Sequence, residues 1–215
     1  MNFYLLDNLK QILEDTSKNP NARARYRWSP AFPINKRGTE ADFCPTCGLP
    51  VSMMHWAQPR ILSFRGKRFA DRLWENIFTE FVVSKRFKDL YEQNGITGVA
   101  SFEQIDEIRV PQKLNIDPPI YYVAKVPFSQ EIIVDSDSSI VTGNMDQPPC
   151  PVCNPFGMSG AHRERIVLDT KNWQGTDVLN VYFVGLVFSQ RFYDFIQDNK
   201  LTNFPLTEIG SYHWV

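Results

Sequence analysis

Cys44-Pro45-Thr46-Cys47 and Cys150-Pro151-Val152-Cys153 hold all four cysteines of this 215-residue chain. Two cysteines separated by two residues can both turn inward on one tight loop. A second such loop then completes the tetrahedral thiolate cage that zinc prefers. The pairing therefore predicts one structural zinc per chain on Cys44, Cys47, Cys150 and Cys153. Four thiolates leave no coordination position open, so such an ion would not activate water. Two disulfides are the competing state of the same thiols, and an oxidising compartment would favour them.

The knuckles also open a repeat. Cys150 stands 106 positions after Cys44, and a second match lies downstream of each. Val82-Val83-Ser84-Lys85-Arg86-Phe87-Lys88-Asp89-Leu90 aligns with Val187-Phe188-Ser189-Gln190-Arg191-Phe192-Tyr193-Asp194-Phe195 at an offset of 105. Asn94, Ile96 and Thr97 then align with Asn199, Leu201 and Thr202. A solenoid needs three or more copies, so two copies predict a pseudo-twofold pair sharing one metal. The expected fold class is α+β, with internally duplicated knuckle, strand and helix units at about 19–111 and 112–215. No low-complexity linker separates them, so residues 1–215 are expected to form a single compact domain.

Hydrophobic residues make up 43% of the chain, with 16 Phe, 8 Tyr and 5 Trp, enough to bury a sizeable core. No apolar run reaches the roughly 20 residues of a membrane-spanning helix. Met1-Asn2-Phe3-Tyr4-Leu5-Leu6-Asp7 lacks a signal peptide's basic start and cleavage site, so a cytoplasmic location is expected. The net charge of −1 supplies no global attraction to a polyanion. Two local basic groups stand out, Arg23 to Arg37 and Arg60 to Arg68, each read as a solvated face.

Along the chain, helical spacing of Leu5, Leu6, Leu9, Ile12 and Leu13 predicts a short helix near residues 7–15, after an opening strand. Residues 19–38 read as an irregular arm, and residues 51–64 as extended around Pro59. Ser84 and Ser189 are predicted helix N-caps. Gly95 is placed to end the first helix in the left-handed conformation, whereas Lys200 at the matching position predicts a different ending for the second. Arg86 with Asp89, and Arg191 with Asp194, are spaced to pair on the helix surface. Residues 119–126 and 132–134 read as strands, residues 135–139 as a turn, and the apolar run 178–188 as one strand buried on both faces.

Catalytic constellations are thin. Gly48 after the first knuckle suits the positive φ that turns backbone N–H groups toward thiolates, and Asn154 is its substitute in the second. His55 and His162 follow Cys47 and Cys153 by eight and nine residues and offer an alternative in which each copy builds its own Cys₂His site. Ser159 lacks the spacing of a nucleophile elbow. Glu103, Glu107, Asp135 and Asp137 read as solvated or capping carboxylates, and neither a phosphate loop nor HExxH is present. No enzyme activity is expected.

The two knuckles and the phrase Val83-Ser84-Lys85-Arg86-Phe87 together resemble the bacterial double-CXXCG motif proteins, over most of the span from Asp42 to Phe204. Asn154 in place of glycine and the basic arm before Cys44 depart from that pattern. Several members of this family, and unrelated families sharing a similar strand-to-helix phrase, are associated with polymorphic toxin systems as immunity proteins. The resemblance implies an immunity protein in the cytoplasm that binds a cognate toxin or effector, possible targets including a nuclease, and occludes its active site. Trp28, Trp56 and Trp214 are candidate exposed aromatics, and Glu131, Asp135, Asp137 and Asp146 a local acidic source for contacts to a nuclease. The alternative function is a zinc-ribbon adaptor that binds nucleic acid through the Arg23 to Arg37 arm, a partner class that the near-zero net charge disfavours.

Overall fold

The computed structural model describes residues 2–6, 31–33, 39–40, 45–46, 55–56, 58–73, 81–129, 131–134, 139–142, 161–181 and 184–209. The strands are β1 (Phe3–Leu6), β2 (Ala31–Pro33), β3 (Thr39–Glu40), β4 (His55–Trp56), β5 (Ile61–Phe64), β6 (Arg72–Leu73), β7 (Phe81–Ser84), β8 (Ser101–Gln104) and β9 (Glu107–Arg109). Next come β10 (Tyr121–Lys125), β11 (Ile133–Val134), β12 (Ser139–Thr142), β13 (Ala161–Arg165), β14 (Leu168–Asp169), β15 (Val178–Val181), β16 (Gly185–Ser189) and β17 (Leu206–Glu208). Helix α1 (Lys85–Gln93) follows β7 directly, and α2 (Gln190–Asp198) follows β16. The architecture is α+β and compact. Among the described residues no helix is long and apolar enough to cross a membrane.

Two four-stranded antiparallel sheets carry the fold, ordered β6-β7-β10-β8 and β15-β16-β1-β17. Their registers correspond rung for rung. Tyr121, Tyr122 and Val123 face Ser84, Val83 and Val82, as Phe3, Tyr4 and Leu5 face Ser189, Phe188 and Val187. On the far side, Tyr122 faces Gln104 as Tyr4 faces Glu208. The chain path differs in one respect. The third strand of the first sheet is β10, downstream of its helix and beyond position 111, whereas the third strand of the second sheet is β1, from near the N-terminus.

Residues on β7 and β16 alternate between two apolar environments, which explains their unbroken apolar sequence. Phe81 and Val83 enter a central cluster with Phe188, Phe87 and Tyr91 of α1, and Phe192, Phe195 and Ile196 of α2. Val82 turns instead to a cluster with Leu62, Phe64 and Tyr121, and Val187 to one with Phe3, Leu179 and Ile132. Rings dominate the centre: Phe87 stacks on Phe204 at 5.3 Å and Phe188 on Phe192 at 4.6 Å. The run at 178–188 is therefore two antiparallel strands, with Val181 opposite Gly185, rather than one. Periodicity does not reveal a reversal when both arms are buried on both faces.

Trp56 is 3% exposed and belongs to the core, not to an exposed aromatic surface. Arg60 is buried as well. Its Nε donates to the Trp56 carbonyl at 2.7 Å and its Nη2 to Glu103 at 2.6 Å. It thus ties the end of β4 to β8, a structural role in place of the solvated one that its basic neighbours suggested. Burial alone would raise the Glu103 carboxyl, but bonds from Lys125 and Arg60 outweigh this and hold it below the usual range. The predicted helix at 7–15 lies outside the described residues, as do Trp28 and Trp214.

Both helices start and stop alike. Ser84 and Ser189 are extended, with φ of −70° and −72°, and their hydroxyls accept from Phe87 N and Phe192 N at 3.1 Å. At the ends, Ile96 N donates to the Tyr91 carbonyl and Leu201 N to the Ile196 carbonyl, each six-to-one bond closed by a left-handed residue. Those residues are Gly95 at φ 62° and Lys200 at φ 50°. The second helix therefore keeps the ending that its lysine was expected to abolish, because the flanking bonds and the burial of Leu201 over-determine it.

Lys200→Gly is expected to raise stability by up to about 1 kcal/mol by relieving the Cβ penalty. Gly95→Lys should cost a similar amount, since an added Cβ meets nothing closer than 3.8 Å. Chemical denaturation midpoints of the two variants, read at equal m-value, check both.

Candidate functional site

Polar residues converge at the two strand-to-helix joints. At the first, the Asp71 carboxylate accepts from Ser84 Oγ at 2.9 Å and from Arg86 Nη1 at 2.8 Å. It also accepts from the backbone N and the hydroxyl of Thr202, both at 2.9 Å, from the loop after the other helix. At the second joint Asp177 accepts from Ser189 Oγ at 2.8 Å and Arg191 Nη1 at 2.9 Å, and from Thr97 N and Oγ1 at 3.0 and 3.1 Å. Each threonine hydroxyl in turn accepts from the backbone N of its aspartate. Each half thus supplies the carboxylate of one joint and the threonine of the other.

The arginines complete the exchange. Arg86 Nη2 donates to the Asn199 carbonyl at 2.6 Å, and Arg191 Nη2 to the Asn94 carbonyl at 2.9 Å. Neither helix has a basic residue in its own last turn. The positive charge that complements the carbonyl end of each helix comes from the first turn of the other. Pairing with Asp71 and Asp177 displaces the expected helix-surface pairs. Asp89 is bonded by Lys85 Nζ at 2.5 Å, and Asp194 by Gln190 Nε2 at 2.9 Å.

Close approach of the halves is built into the same loops. An added Cβ on Gly98, at φ 109°, would lie 1.9 Å from the Val178 carbonyl oxygen. Only glycine lets residues 97–98 run against β15, where Val178 N donates to the Thr97 carbonyl at 3.0 Å. Nearby, Tyr91 accepts from Val99 N at 2.9 Å, and burial pushes its hydroxyl up to about 12. Serine, aspartate and arginine meet at these joints, but each serine hydroxyl is spent on its cap and its carboxylate, and Ser189 is 1% exposed. Chemically the joints are locks.

Cys44, Cys47, Cys150 and Cys153 lie outside the described residues, as do Ser159, Asp135, Asp137 and Asp146. Pro45 and Thr46, between the first two thiols, form a turn. The chain leaves for the first knuckle from β3 and returns on β4, its antiparallel partner, with Glu40 opposite His55. It leaves for the second from β12 and returns on β13, with Val141 opposite His162. Both histidines thus stand on the returning strand of a ladder. Among the described residues, no three His, Cys, Asp or Glu side chains group to hold a metal. Glu131, read as part of an acidic loop, accepts from Thr176 Oγ1 at 2.6 Å and Gln174 N at 3.0 Å.

Two clefts flank the second joint. One of about 530 Å³ is bordered by Gly98, Phe128, Glu131 and Thr176. The other, of about 610 Å³, lies between α2, the end of α1 and the turn around Trp173. Neither was foreshadowed by a motif, since their walls come from segments far apart in sequence.

Asp177→Ala is expected to lower stability by about 3 kcal/mol, because it orphans the buried Ser189 hydroxyl and the Thr97 N–H together. Thr97→Val in the same background should then cost much less than alone; additive losses in a double-mutant cycle would contradict the lock. A comparison with protein-family models finds no match to this chain, and none is found among curated proteins.

Proposed function

We propose that this chain is a non-catalytic binding protein that neutralises a bacterial effector by stoichiometric occlusion, the role of an immunity protein, with one structural zinc. The observation that carries this reading is the reciprocal pair of joints. They commit the serines, carboxylates and threonines around the helices to holding the halves in one arrangement, which suits a preorganised surface for a protein partner. The matching sheet registers and matching joints support an internal duplication, now with β1 in the place that β10 holds in the first copy. The two ladders that lead to and from the knuckles support a shared site in which Cys44, Cys47, Cys150 and Cys153 hold zinc and staple the copies. The reading keeps the chain in the cytoplasm, where thiolates stay reduced.

The purified chain should contain one zinc equivalent, and two would reject the shared cage. Cys44→Ser or Cys150→Ser should release it and lower thermal stability sharply, since structural zinc contributes on the order of 10 kcal/mol of apparent binding free energy. Capture from the native cell should recover one dominant protein at a one-to-one ratio. Recovery of mixed nucleic acid with a steep salt dependence would overturn the reading in favour of a nucleic-acid adaptor.

A further inference from the structure

The two helices match in their joints but not on their outer faces. On α1 each acid has a base one turn away: Lys85 Nζ lies 2.5 Å from Asp89 and Lys88 Nζ 2.8 Å from Glu92. At the corresponding positions of α2 the lysines are Gln190 and Tyr193, Asp194 keeps the place of Asp89, and Asp198 replaces Gln93. Asp194 receives only the Gln190 amide, and Asp198 has no hydrogen-bond or ion-pair partner among the described residues. The two stand four apart on one helix face, about 6 Å between Cβ atoms.

Asp194 and Asp198 both line the 610 Å³ cleft, and Trp173 lines it with them. Arg191 also lines it, but its guanidinium is spent on Asp177, the Asn94 carbonyl and the Gly95 carbonyl. Trp173 is itself held in place, its Nε1 donating to the Thr176 carbonyl at 2.9 Å and its ring edge-on to Phe3 at 5.4 Å. The cleft therefore combines a fixed aromatic wall with two uncompensated negative charges, where the equivalent helix supplies its own cations.

We propose that this cleft receives an arginine side chain of the protein partner, its guanidinium between Asp194 and Asp198 and its stem along Trp173. A planar guanidinium donates to carboxylates through a fixed fork and stacks on an indole face, which a compact ammonium does less well. The proposal rests on the protein-binding reading above and names the chemistry of its contact.

The test uses a hexa-arginine peptide as probe on the full chain, read by the indole N–H resonance of Trp173. A saturable shift is expected, with affinity at least about tenfold weaker in the Asp194→Asn, Asp198→Asn double variant. The Asp89→Asn, Glu92→Gln variant of α1, with the same loss of two charges, should bind the probe as the parent does. No saturable shift, or equal loss in both variants, would overturn the cleft. If the double variant, folded with an unchanged melting temperature, captures a cellular partner as well as the parent, the cleft assignment falls while the binding-protein reading stands.

Discussion

Two carboxylates hold this structure in register. Asp71 and Asp177 are nearly excluded from water, a costly state for a charge, and each offsets that cost with four donors. Two of the four come from its own half and two from a threonine across the interface. Neither carboxylate is satisfied unless the halves are docked, so docking and local folding are one event. A salt bridge to an arginine half in solvent would not by itself supply that coupling, being worth little. The shared, buried acceptor does.

The remaining architecture follows from that exchange. Thr97 and Thr202 sit just past the helix ends, so bonding them to the opposite aspartates sets the start of each helix beside the end of the other. The arginines then reach the opposing C-terminal carbonyls, and each helix dipole is completed by its mate. With the helices so placed, Phe87 and Phe192 converge with Phe81, Phe188 and Phe204 in one ring-rich centre. Ring pairs at 4.5–7 Å add to the area term, and their geometry fixes a single packing.

Local signals carried much of this plan. The Ser-x-Arg-Phe phrase marked both helix starts, and Ser84 and Ser189 cap as their position demands. The β-rich run around Tyr121 is a strand, and an opening strand precedes residue 7. What escaped was everything set by distant partners. Arg86 has an acid three residues on, yet it chooses Asp71, fifteen residues back, because Thr202 has already oriented that carboxylate. The reversal near residue 184 is hidden in apolar sequence. The thiol spacing suggests a metal site, but all four thiols lie outside the described residues. The cleft beside Trp173 emerges only when α2 is set against α1 and the missing lysines become visible.

The origin of β1 bears on how the molecule is made. The first sheet draws its strands from positions 72–125 and can close as soon as that stretch leaves the ribosome. The second pairs Phe3–Leu6 with strands far downstream, so Tyr4 awaits Gln190, 186 positions away. Until then an apolar segment with open edges must be shielded by something other than its final neighbours. Closing so long a loop costs chain entropy that local pairings do not, so β1 is the strand whose place in the fold depends most on distant sequence.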